Sequence, residues 1–123
     1  MVESYYENLP IYKSAMDLVV SLDSIVRKFP QHHKYTLGME LRLKALEILQ
    51  KTAEANRRET RTQNIAELCD QIESLKILCN VAKEVQAFQS FKQFSQVMEQ
   101  VLRITRQAEG WRRKSKPRSN QNL

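Results

Sequence analysis

The residues in this 123-residue chain that first invite a chemical role are an adjacent histidine pair, His32 and His33, and two cysteines, Cys69 and Cys79. In a helical protein a metal centre needs carboxylates and histidines projecting inward, typically as Glu-x-x-His. No glutamate here stands three residues before a histidine. Neighbouring residues on a helix point about 100° apart, so His32 and His33 make a weak metal pair. No carboxylate or cysteine sits at ligand spacing from them, and the pair reads as an exposed corner with no metal site. Cys69 and Cys79 are ten residues apart on one predicted helix, a rise of about 15 Å. That is too far for a disulfide, so both read as buried, reduced thiols of a cytoplasmic protein. Cys69 has no local histidine or basic motif that would activate a thiolate. The chain carries no glycine-rich phosphate loop and no nucleophile elbow. Without a nucleophile, base and oxyanion donors it is expected to have no catalytic residues, no cofactor and no small-molecule substrate.

Charge offers more. The net charge is +6, and it is unevenly spread. Five of the 20 basic residues lie in Arg112–Arg118 without an acid, leaving 15 against 14 acidic residues before them. A nearly neutral body with a basic tail suits a polyanion, although a solubilising terminus explains the same composition. Further basic candidates are Arg57, Arg58 and Arg61 in one polar stretch, Lys76 and Lys83 seven residues apart, and Arg103 with Arg106. Helix residues at such spacings share a face. Phosphate contact is one role for them and ordinary solvated ion pairing the other. Tyr5, Tyr6, Tyr12 and Tyr35 are candidates for stacking on bases or for packing at helix ends. No base-reading signature is present.

These side chains must be positioned by helices. Few glycines and prolines argue against an all-β fold, and no apolar run is long enough to span a membrane. The first residues lack the basic and apolar regions of a signal peptide. Pro10 suits a first helical turn, and Ile11, Ala15, Leu18, Val19, Leu22, Ile25, Val26 and Phe29 follow at spacings of three and four. Pro30 ends that helix. A second is expected from between Gln31 and Thr36 to about Asn56, along Leu37, Leu41, Ala45, Ile48, Leu49, Thr52 and Ala53. Leu43 and Leu46 widen its apolar face enough to suggest more than one neighbour. A third follows caps at Thr62 or Asn64 and runs through Ile65, Leu68, Cys69, Ile72, Leu75, Leu78, Cys79, Ala82 and Val85. Ser90 with Gln93 fits a capping box before a fourth, through Phe91, Phe94, Val97, Met98, Val101, Leu102, Thr105 and Ala108. Gly110 stands where a C-terminal cap belongs.

Four helices of this length joined by short links predict an all-α, antiparallel up-down-up-down four-helix bundle. The bundle is expected over residues 1–112, with residues 113–123 as a basic, disordered tail. In that topology Arg57, Arg58 and Arg61 come to one pole with Arg112, Arg113 and Lys114. The opposite pole gathers Arg27, Lys28, His32, His33, Lys34 and Lys92.

The corner Phe29-Pro30, followed by Tyr35-Thr36-Leu37-Gly38 and a long helix, resembles the small bacterial four-helix bundle proteins. That family includes proteins encoded in ribosomal RNA intervening sequences and the accessory variability determinant (Avd) of diversity-generating retroelements. The opening Leu9-Pro10-Ile11-Tyr12-Lys13 and the closing Gly110-Trp111 before basic residues are similar to the Avd branch. The intervening-sequence branch carries a Ser-Ile-Pro-x-Asn-Ile-x-Glu-Gly-like stretch, where this chain has Leu46-Glu47-Ile48-Leu49-Gln50-Lys51-Thr52-Ala53-Glu54-Ala55-Asn56. The resemblance spans roughly residues 9–113. It implies a homopentameric, non-catalytic protein that associates with a reverse transcriptase and with RNA during mutagenic cDNA synthesis. RNA and DNA are not distinguished by the residues themselves. A helical protein-interaction adaptor, or a bundle protein of the ribosomal RNA intervening-sequence type, without nucleic-acid binding is the alternative.

Overall fold

A computed structural model describes residues 5–57 and 59–115. A short 3-10 turn, Tyr5–Asn8, precedes α1 (Pro10–Val26), α2 (Gln31–Lys34), α3 (Leu37–Glu54), α4 (Arg61–Glu84) and α5 (Phe91–Lys114), with no strand among the described residues. The four long helices form a bundle in which α1 packs on α3 and α5, and α4 packs on α3 and α5. Every seam is antiparallel. Asp23 meets Arg42 across α1 and α3. Lys44 reaches Gln71 and Lys51 reaches Glu67 across α3 and α4. Lys83 of α4 lies over the Phe94 ring near the start of α5. Gln100 of α5 donates to Ser21 Oγ of α1 at 3.1 Å. The up-down-up-down order expected from short links is the observed one.

The core consists of the stripes set by helical periodicity. Leu18, Leu22, Leu41, Ile48, Ile65, Leu68, Ile72, Leu75, Val97 and Val101 are fully buried. Each such side chain contributes roughly 1.5–3 kcal/mol on leaving water. Ile104 joins them as a buried residue outside the expected stripe. Thr52 is the polar side chain buried among the described residues, and its hydroxyl donates to the Leu49 carbonyl at 2.6 Å. Leu43 and Leu46, which widen the apolar face of the second long helix, are exposed, and Val85, expected in a core stripe, turns outward.

The helix ends depart from expectation where local chemistry overrode the simplest cap. α1 ends at Val26, ahead of Pro30, in a turn where the Lys28 and Phe29 amides bond to the Ile25 and Val26 carbonyls. Pro30 opens the single turn of α2, accepting from the His33 and Lys34 amides at 2.9 Å. The long helix therefore starts only at Leu37. α4 begins at Arg61 after Thr60, ahead of both expected caps. Asn64 lies inside that helix, and its amide donates to Thr60 Oγ1 and the Glu54 carbonyl. Ser90 caps α5 as anticipated, accepting from the Gln93 amide at 3.2 Å. The Gln93 side chain reaches back to the Gln89 amide rather than to that of Ser90.

Gly110 does not end α5. The helix continues for another turn to Lys114, because Ala108 and Trp111 on either side of the glycine pack against the core. Arg113 and Lys114 are thus helical, and the expected domain boundary falls inside α5. The rest of the expected disordered tail, residues 116–123, lies outside the described residues.

Candidate nucleic-acid interface

Two antiparallel turns bring the α3–α4 link and the end of α5 to one pole. The Thr62 hydroxyl near the start of α4 donates to the Ser115 carbonyl at 3.3 Å. Arg57 is exposed on the link, and Arg112, Arg113 and Lys114 are exposed on the last turn of α5. Cations there are favoured by the unpaired carbonyls and negative end of the helix dipole. Arg58 lies outside the described residues.

Arg61 plays a different part from its neighbours. It is half-buried, and its Nη2 donates to the Asn56 carbonyl at 3.2 Å, satisfying a group left over where α3 ends. Its Nε is buried without a partner among the described residues. Arg61 therefore braces the link. Arg112 is also partly engaged, since it lines a small cleft with Cys69, Asp70, Glu73 and Glu109. Those three carboxylates offset its charge locally.

The basic pole extends along α5. Arg103, Arg106 and Arg113 stand three and seven residues apart, which aligns them on one helix face. All three are exposed and form no ion pair among the described residues. Lys92 and Glu99 continue the same face toward the far end. The result is an arginine ribbon along one outer edge that meets Lys114 and Arg57 at the pole.

Lys76 and Lys83 are not brought into this ribbon. Lys76 is half-buried with Nζ 2.7 Å from Glu73 Oε2. Lys83 lies 5.1 Å above the centroid of the Phe94 ring and 3.6 Å from Glu84 Oε2. It sits at the opposite pole, where Phe88 also meets Phe29 and Phe94 edge-on. Tyr6 and Tyr12 pack on one another at 5.1 Å, and Tyr35 is exposed.

The thiols are poorly suited to chemistry. Burial pushes the Cys79 pKa up to about 12. Burial first, then the nearby Glu109 carboxylate, raises that of Cys69. Among the described residues no three side chains of His, Cys, Asp or Glu converge as a metal site requires. No described helix is long and apolar enough to cross a membrane.

Sequence reasoning missed one element of the pole. Pro10 and Ile11 of α1 and Gln107, Gly110 and Trp111 of α5 line an apolar groove of about 300 Å³, with Lys114 at its edge. The signal was present in Gly110-Trp111, but only a helix continuing past the glycine turns those two residues into a wall. Comparison with known proteins gives a direct finding. Residues 11–115 match a family model described as bAvd-like. No curated protein matches the chain.

Proposed function

The chain belongs to the bAvd-like family, and from that membership we propose that it is a non-catalytic accessory subunit of a diversity-generating retroelement. In this reading it binds template RNA and the reverse transcriptase and supports mutagenic cDNA synthesis. The observation that carries the RNA part is the arginine ribbon of α5, Arg103, Arg106 and Arg113, running into the basic pole. An exposed row of arginines that form no ion pair among the described residues suits a phosphate backbone, which needs charge and spacing rather than a base-reading motif.

Assembly into a homopentamer belongs to the same reading. Its physical support is apolar surface that the bundle leaves uncovered. Val20 of α1 and Leu43 and Leu46 of α3 are exposed along one face, as are Ile77 and Val81 on α4. Two different apolar faces on one protomer suit a head-to-tail ring. A ring would also repeat the arginine ribbon and raise avidity without new contacts.

Reconstitution tests the proposal. The reverse transcriptase of the retroelement and its template RNA are incubated with and without this protein, and cDNA yield is measured. Yield should depend on the protein and fall when Arg103, Arg106 and Arg113 are all changed to Gln. Undiminished yield without the protein contradicts the accessory role.

A further inference from the structure

Resting on the RNA-binding reading, we infer that the groove between the start of α1 and the end of α5 holds one unpaired base, so that the protein prefers single-stranded RNA to duplex. Pro10 and Ile11 supply an apolar wall, and the Trp111 indole supplies an aromatic one. At Gly110 the groove is open: a Cβ there would meet nothing nearer than Arg113 Nη2 at 4.0 Å. Gln107 lines the same groove, and its Oε1 is buried with no hydrogen-bond partner among the described residues.

The surroundings select an anionic polymer. Lys114 borders the groove, and Arg113 lies one turn from Gly110 on the basic ribbon. A strand whose phosphates follow Arg103, Arg106 and Arg113 arrives at the groove with a base free to enter. A volume of about 300 Å³ lies at the small end of ligand sites, which suits one ring system and not a helix. Bases in a duplex are stacked and paired, so only an unpaired base reaches an aromatic wall at low cost.

Trp111 is the only tryptophan in the chain, so its emission reports the groove directly. The probe is an unlabelled mixed-sequence RNA 12-mer, single-stranded or annealed to its complement, with filter retention measured in parallel. Single strands are expected to quench Trp111 and bind more tightly. Duplex is expected to bind by charge and leave the emission unchanged. Trp111→Ala should weaken single-strand binding about five-fold or more, the usual loss for one stacked base. Because that variant also removes core packing, Gly110→Leu serves as the second. It keeps the indole, favours the helix and fills the groove, so single-strand affinity should drop to the duplex level in a protein that melts no earlier. Equal affinity for both forms, or retention of single strands without quenching, overturns the base pocket and leaves the RNA-binding reading intact. Retention of neither form at low salt overturns both.

Discussion

A methyl group added at Gly38 would lie 2.6 Å from Val26 Cγ1 and 3.2 Å from the His33 carbonyl. Val26 is fully buried and cannot move aside, so the corner resembling a family marker is held by close packing. Gly38→Ala should therefore destabilise the protein. Overpacking costs about 1–3 kcal/mol, against at most roughly 1 kcal/mol gained in helix propensity. Gly110→Ala has no such conflict and should stabilise by about 1 kcal/mol. Chemical denaturation of the two variants checks both signs, and adding Val26→Ala to Gly38→Ala should recover part of the loss. Nothing in the sequence separates these two glycines. One was legible as part of a corner, and the other was misread as a helix stop because its effect depends on what Trp111 touches. Arg61 was similarly opaque, since its role as a brace depends on the Asn56 carbonyl across a turn.

The elements were legible where periodicity alone decides and less so at their ends. The stripes of α1 and α4 read correctly up to their last turns, because each faces one continuous core, but Phe29 and Val85 lie beyond the helix ends and Val85 is exposed. The wider apolar face of α3 was legible too, and Leu43 and Leu46, which widen it, face away from its own bundle. The α4–α5 link shows how an end is fixed without glycine. Gln86 adopts φ 61°, its amide bonds to the Lys83 carbonyl, and the Ala87 amide bonds to that of Ala82. These are the paired bonds of a Schellman cap, which usually places glycine at that position. Gln86→Gly should raise stability by about 1 kcal/mol, the penalty of a left-handed side-chain-bearing residue, measured as a shift in the denaturant midpoint.

The α3–α4 seam makes a pH prediction. A hydrogen bond from Lys51 at 2.8 Å, then one from Gln63, holds the Glu67 carboxyl below its ordinary 4.5. The same bond to Glu67 raises Lys51 above 10.5. A lowered carboxylate pKa means that its contribution is complete above about 4.5 and lost as pH falls through the folded value. For the raised lysine the contribution is complete below about 10.5 and lost as pH rises through the folded value. The seam therefore contributes fully between those limits. Glu67→Gln should be less stable than wild type at pH 7 and converge with it as acid titrates the Glu67 carboxyl below its lowered value. A constant gap across acid titration contradicts the assignment.

At the scale of the whole molecule, antiparallel topology converts distant basic segments into one surface. Arg57 and Lys114 share a pole because α4 and α5 reverse between them, as the Thr62–Ser115 bond records. That pole was legible from topology, while the groove beside it was not, because its walls come from opposite ends of the chain. The exposed apolar faces of α1 with α3 and of α4 make assembly the expected way to cover them. Light scattering should return five times the 14.5 kDa subunit mass, and Leu43→Glu with Leu46→Glu should return a lower one. A monomer at micromolar concentration contradicts the ring.

The central claim is that an arginine ribbon on α5 engages RNA through its phosphates, and the salt dependence of RNA affinity tests it most directly. For wild type the logarithm of the binding constant should fall linearly with the logarithm of salt concentration. For single strands each phosphate contact adds about 0.7 to that slope. The Arg103→Gln, Arg106→Gln, Arg113→Gln variant should therefore bind more weakly with a slope shallower by about 2. An affinity indifferent to salt, or a variant with the wild-type slope, would contradict the claim.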